Sequence, residues 1–275
     1  MSPPLISVDE ARELHGASGV VFLDATWTFP GGPQPVTGGF IPGARPIDID
    51  TVRDEHTALP HMLPAPDAFE RHARALGIGN DDTLIVYDRM GLFSAPRVWW
   101  MFRTMGHRHV HVLDGGLPHW QASGGSVDER PATDWPAGDF SAAYEPDRVA
   151  GLDDVLAASD GGNCQILDAR PAGRFSGLTP EPRPGMRSGR MPGALSLPYS
   201  GLTDARGRLS VSEADFRAAG LGDDRPVITT CGSGVTACML ALALEQLGRS
   251  AAVYDGSWAE WGRRDDTPIA TDRED

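Results

Sequence analysis

Short apolar runs rich in β-branched residues alternate along the chain with segments of helical periodicity. Val20-Val21-Phe22-Leu23 and Thr83-Leu84-Ile85-Val86-Tyr87 predict buried strands in the first half. Gln165-Ile166-Leu167 and Val227-Ile228-Thr229-Thr230 predict their counterparts in the second. Between strands of the first half, the pattern from Pro66 to Gly77 predicts a helix, and Cys238 to Gly248 predicts another. Alternation of this kind predicts parallel strands joined by crossover helices, an α/β sheet covered on both faces. Trp99-Trp100-Met101-Phe102 reads as the apolar face of a core helix.

The pattern occurs twice. Val20 to Ala25 is matched by Cys164 to Ala169, and Ile41-Pro42-Gly43-Ala44 by Met191-Pro192-Gly193-Ala194. Thr83 to Asp88 is matched by Pro226 to Cys231, and Val112 to Gly116 with Trp120 by Val253 to Ser257 with Trp261. Order and spacing hold throughout, so the chain contains a duplicated unit. The expected division is an N-terminal domain at 1–130, a linker at 131–147 and a C-terminal domain at 148–275. The linker is recognised by Pro131, Trp135, Pro136, Gly138 and Pro146 and by its lack of periodicity.

One difference between the copies concerns chemistry. In the second copy the strand ends on Cys231, and Gly232-Ser233-Gly234-Val235-Thr236-Ala237 turns into a helix. At the matching place the first copy has Asp88-Arg89-Met90-Gly91-Leu92-Phe93-Ser94-Ala95 and no cysteine. Loop amides directed inward, glycines at 232 and 234 permitting positive φ, and the positive end of a helix all suit a reactive thiolate. One active centre per chain is expected, in a cleft between the halves.

Composition narrows the partners. A formal charge of −14 disfavours nucleic acid and anionic membranes, so an anionic substrate requires a local group of arginines. Three cysteines without paired spacing suggest a reducing compartment, and the first residues lack the basic and apolar regions of a signal peptide. With no apolar stretch of membrane-spanning length, the expected location is the cytoplasm.

A duplicated α/β unit with a cysteine loop in the second copy resembles the tandem rhodanese sulfurtransferases. Cys231 to Ala237 is similar to the loop of the 3-mercaptopyruvate branch, whereas the thiosulfate branch commonly has basic residues where this chain has Gly232 and Ser233. Ser94 to Trp100, His61-Met62-Leu63-Pro64 and Tyr254 to Trp261 carry the same resemblance. It implies two tandem rhodanese-like domains, each a mainly parallel sheet flanked by helices. It also implies transfer of sulfur from 3-mercaptopyruvate through a persulfide on Cys231, without a cofactor or metal. Arg174 and Arg183, in an insertion of the second half, would bind the carboxylate and keto group. Gly232, Gly234, Val235 and Thr236 would line the substrate position, while Ser233, His61 and Asp50 would serve proton transfer. The implied partners are a small anionic sulfur donor and a thiol acceptor, thioredoxin or a small thiol.

Alternatives remain at this level: thiosulfate as donor, a cysteine phosphatase, or a non-catalytic binding module. A phosphatase commonly needs an arginine six positions after its cysteine, where this chain has Ala237. The family often places His before its Ile-Pro-Gly-Ala segment; Phe40 and Arg190 stand there instead, which predicts altered packing at two turns. His107, His109 and His111 alternate, but a metal site needs a second element and they read as a turn residue and residues flanking an exposed strand edge. Cys164 and Cys238 read as core residues.

Overall fold

A computed structural model describes residues 2–29, 31–32, 34–222 and 225–272. The chain forms two compact units. The first comprises residues 1–56, 63–146 and 203–210, and the second comprises 57–62, 147–202 and 211–275.

Unit 1 contains β1 (Leu5–Ile6), α1 (Val8–Leu14), β2 (Val20–Asp24), β3 (Arg45–Pro46), α2 (Pro66–Ala75), β4 (Thr83–Tyr87), α3 (Ala95–Thr104), β5 (Val110–Leu113) and α4 (Gly116–Ala122). Unit 2 contains β6 (Val149–Ala150), α5 (Leu152–Ser159), β7 (Gln165–Asp168), α6 (Ala172–Phe175), β8 (Leu195–Ser196), α7 (Glu213–Ala218), β9 (Val227–Thr230), α8 (Ala237–Gln246), β10 (Ala251–Tyr254) and α9 (Ser257–Trp261). Each unit has a five-stranded sheet in which all the pairings are parallel. The orders are β1-β5-β4-β2-β3 and β6-β10-β9-β7-β8, the same topology twice.

Local chemistry explains the boundaries. Ser7 and Glu10 form a reciprocal cap at the start of α1, and Pro66 opens α2 at a position where its missing N–H costs nothing. α3 is buried along its whole length, Arg97 and Arg103 included, so the expected apolar face is a helix enclosed on all sides. α8 has the same character from Ala237 to Leu244. Registers align Asp24 with Tyr87 and Asp168 with Thr230, so Asp88 and Cys231 emerge at equivalent sheet positions.

The stretch expected to act as a linker packs along unit 1. Ala132 N donates to Ala44 O at 2.9 Å, Trp135 Nε1 to Ala75 O at 2.7 Å and Gly138 N to Arg74 O at 2.8 Å. Phe140 is buried edge-on against Phe69 and Phe102. Aromatic burial thus anchors a segment whose prolines and acids conceal any periodicity.

At the two turns without histidine, cations lie over aromatic rings. The Arg89 guanidinium lies over the Phe40 ring at 4.4 Å, and that of Arg190 over Phe175 at 5.1 Å. Phe40 and Arg190 still form equivalent antiparallel bridges, to Asp128 and Ala270.

Candidate active site

Cys231 follows the last residue of β9, and the loop from 232 to 236 delivers the chain to the N-terminus of α8. The residue is buried, only 2% exposed. Gly234 adopts φ +78°, the left-handed conformation the turn requires. Gly232 does not have positive φ, contrary to the sequence expectation. Its lack of a side chain matters for space: a Cβ there would stand 3.0 Å from Arg174 Nη2. A basic side chain at 232 would therefore compete with Arg174 for one volume.

Ser257, at the start of α9, ties this loop together. Its hydroxyl donates to Tyr254 O at 2.8 Å and accepts from the amides of Cys231 at 3.2 Å and Gly234 at 3.1 Å. It is fully buried and holds φ +49°, a strained conformation for a residue with a Cβ. Two loop amides are thus engaged with Ser257, which narrows the expectation that the loop amides as a group face the sulfur. The sequence signal for Ser257 was present but unused: it replaces Gly116 of the first copy.

Unit 1 shows what the loop does with an anion. Asp88 is fully buried, and its Oδ2 accepts from the amides of Phe93 at 2.7 Å, Ser94 at 2.9 Å and Ala95 at 2.9 Å. Its Oδ1 accepts from Met90 at 2.9 Å. Burial lifts the carboxyl above its ordinary range, and the amides pull it back only in part. Counted from the helix starts at Ala95 and Ala237, the corresponding amides of unit 2 are Val235, Thr236 and Ala237. The unit 2 loop is one residue shorter after its glycine.

Cations reach the cysteine loop from the insertion. Arg183 Nη2 donates to Ser233 Oγ at 3.3 Å. Burial draws the Arg183 guanidinium below its usual range; Arg174 and Arg263 add to this, while the nearby Cys231 and Glu181 oppose it. Arg174 grips Glu181 with two nitrogens, Nε at 3.1 Å and Nη2 at 2.5 Å from Oε2. Glu181 Oε1 also accepts from Arg170 Nη1 at 2.8 Å. Arg170 in turn pairs with Asp168 at 2.6 Å and lies over the Trp258 ring at 4.0 Å. Burial works against the Arg170 charge, but Asp168 and Glu181 outweigh it and hold the guanidinium above its ordinary range. This Asp168–Arg170–Glu181–Arg174 chain was not anticipated. Its signal is Arg170 standing where the first copy has Thr26.

Cys231, Gly232, Ser233, Gly234, Val235, Thr236, Arg174 and Arg183 all belong to unit 2. His61 does too, although it precedes the first-copy helix α2 in sequence. It is buried and has φ +61°. Asp50 belongs to unit 1, where its Oδ2 accepts from Trp27 Nε1 at 2.7 Å. Cys238 is buried in α8 with its thiol on Gly234 O at 3.1 Å; Cys164 is half-buried against the unit 2 core. His107 is buried and stacked on Phe140, His109 is exposed, and His111 contacts Pro3 O through Nδ1 at 2.7 Å. β5 lies between β1 and β4, so His111 is not on a sheet edge as expected. Among the described residues no group of three His, Cys, Asp or Glu side chains could hold a metal ion.

Comparison with known proteins bears on the chemistry. A family model described as Rhodanese-like domain matches residues 7–123 and again 152–264. A 3-mercaptopyruvate sulfurtransferase of Escherichia coli is 46% identical over 239 residues, covering 86% of this chain and 85% of the relative. A mitochondrial thiosulfate/3-mercaptopyruvate sulfurtransferase of Arabidopsis thaliana is 39% identical over 296 residues, covering 98% and 78%. The crystal structure of the Escherichia coli 3-mercaptopyruvate sulfotransferase SseA superimposes with a TM-score of 0.83 at 39% identity, covering 94% of this chain and 99% of that one.

Proposed function

The chain belongs to the rhodanese-like family, whose domain it carries twice, and from that premise we propose that it is a 3-mercaptopyruvate sulfurtransferase. It moves sulfane sulfur from 3-mercaptopyruvate to a thiol acceptor, or to cyanide in an assay, through a persulfide on Cys231, and releases pyruvate. One observation carries the assignment of the centre to this chain's residues: the unit with the cysteine is also the unit whose insertion brings Arg183 onto Ser233 and Arg174 against Gly232.

In the first step the Cys231 thiolate attacks the donor sulfur. The sulfur–carbon bond breaks, its electron pair passes into the enolate of pyruvate, and the proton of the donor thiol ends on the methyl carbon. Val235, Thr236 and Ala237 supply the amides and the helix terminus that favour negative sulfur, by analogy with the amides around Asp88. Arg183 binds the carboxylate, and Arg174, with two nitrogens held by Glu181, turns its remaining edge to the keto group. Ser233 relays the proton, with its oxygen fixed by Arg183. His61 and Asp50 complete the proton path. In the second step an acceptor thiolate attacks the outer sulfur, and the Cys231 thiolate leaves.

Thiosulfate is the second donor to weigh, because a relative of 39% identity carries both donors in its name. Mercaptopyruvate is favoured because neither residue after Cys231 is basic and the cations come from the insertion. Among the described residues no helix is long and apolar enough to cross a membrane. We place the enzyme in the cytoplasm, with thioredoxin or a small thiol as acceptor. Brief exposure to mercaptopyruvate followed by mass spectrometry should add one sulfur at Cys231 and release one pyruvate. Unmodified protein that still turns over would overturn the scheme.

A further inference from the structure

Glu181 touches neither the cysteine loop by hydrogen bond nor any group that reacts, yet its carboxylate is nearly sealed from water, with 1% side-chain exposure. It accepts from Arg170 through one oxygen and grips Arg174 through both. Asp168 supplies the second carboxylate for Arg170. Two carboxylates and two guanidiniums therefore cancel within one buried chain, and Arg183 is left as the half-buried cation whose charge is not spent on a carboxylate hydrogen bond in this set. Arg263 also acts on Arg183, but it is exposed and its field is screened by water. Burial raises the Tyr199 phenol above its ordinary range, and Arg174 opposes this.

We propose that Glu181 sets the donor preference of the site by neutralising Arg174 while fixing its orientation. Arg174 is kept as a hydrogen-bond donor and removed as a net charge. The pocket then suits a donor with a single negative charge, a keto acid, and disfavours a compact dianion such as thiosulfate. This rests on the sulfurtransferase reading above and deepens it, making Glu181 a positioning and specificity residue rather than a catalytic one.

The test separates charge from geometry. Glu181→Gln keeps the shape and removes the charge. The added net positive charge helps every anion, but helps a dianion by one further unit of interaction. The ratio of kcat/KM for thiosulfate to kcat/KM for mercaptopyruvate should rise about tenfold, ~1.4 kcal/mol. The rise should shrink as salt is added, which a purely structural defect would not do. Glu181→Asp keeps the charge and shortens the reach. It should lower turnover of mercaptopyruvate and leave the donor ratio within about twofold of the parent, since the charge interaction is retained. A ratio unchanged in Glu181→Gln, or shifted equally in both variants, overturns the proposal. If Glu181→Gln does not fold, inhibition of the unmodified enzyme decides: pyruvate should inhibit at least as well as sulfate at equal ionic strength, and sulfate about tenfold stronger would overturn the idea. Failure of the underlying reading looks different, because the parent enzyme would then turn over neither donor or Cys231→Ser would remain active.

Discussion

Asp88 and Cys231 occupy one topological address. Each follows the last residue of the sheet's central strand, and each gives its carbonyl to a helix amide, Leu117 N at 3.0 Å in unit 1 and Trp258 N at 3.0 Å in unit 2. Beyond that point the two loops diverge. In unit 1 a resident carboxylate fills the ring of amides, and Gly116 is obligatory, since a Cβ there would run into the carbonyl oxygens of Asp88 and Gly91. In unit 2 the loop is one residue shorter, Ser257 replaces that glycine, and its hydroxyl takes two loop amides for itself. The comparison shows a loop whose amides hold a buried carboxyl group in unit 1, and the proposed role of the unit 2 loop is to do the same for the Cys231 sulfur. The identity of the held group decides whether it is a structural plug or a nucleophile.

The sharpest way to break the comparison is Cys231→Ser. Turnover should fall by about 10⁴ or more, as removal of a covalent nucleophile does, while circular dichroism and melting temperature stay the same. Residual turnover, with sulfur found on Cys164 or Cys238, would mean that Cys231 is not the sole carrier. Next in size is Asp88→Ala, which orphans three buried amides and one part-buried amide. Stability measured in urea should drop by about 3 kcal/mol, with persulfide formation at Cys231 intact; a loss below about 1 kcal/mol would show that the amides have other partners.

Just beyond the glycine that ends each crossover helix the units differ again. Unit 1 buries His107, whereas unit 2 has a half-buried Arg249 donating to Gly222 O at 2.9 Å. Burial lowers His107 from 6.5 to about 4. The unfolded chain therefore takes up a proton below pH 6.5 that the folded chain refuses, so stability present above that pH is lost as pH falls toward 4. His107→Phe should flatten this acid loss, which amounts to about 3 kcal/mol at most, in denaturation curves between neutral pH and pH 4. The smallest change in folding energy belongs to Ser257→Ala, about 1 to 2 kcal/mol, but it frees the amides of Cys231 and Gly234. The expected signature is a kcat reduced about tenfold to a hundredfold with KM nearly unchanged, the pattern of a misplaced nucleophile.

Much of this was legible in the chain. The duplicated order of strands, the core position of Trp99 to Phe102 and the position of Cys231 are legible, because they depend on local pattern and on comparing one copy with the other. The positive φ expected of Gly232 is not adopted, and its lack of a side chain answers instead to the proximity of Arg174, a residue far away in sequence. Glu181 stands in the insertion with Arg174 and Arg183, but its pairing with Arg170 and Arg174 is not visible in the sequence for the same reason: a buried charge chain has no period. Phe140 was hidden among prolines that mark a loop but do not reveal what the loop packs upon. Ser257 was in view as part of a motif, and only its hydrogen bonds explain why a hydroxyl stands there.

Trp258 binds the carbonyl of Cys231 through its amide and carries the Arg170 guanidinium against its ring. An indole stacked on a cation, in a residue whose amide holds the Cys231 carbonyl, has an emission that responds to local charge. Stopped-flow fluorescence should therefore follow loading and discharge of the enzyme without any added dye, and Trp258→Phe should silence that optical signal.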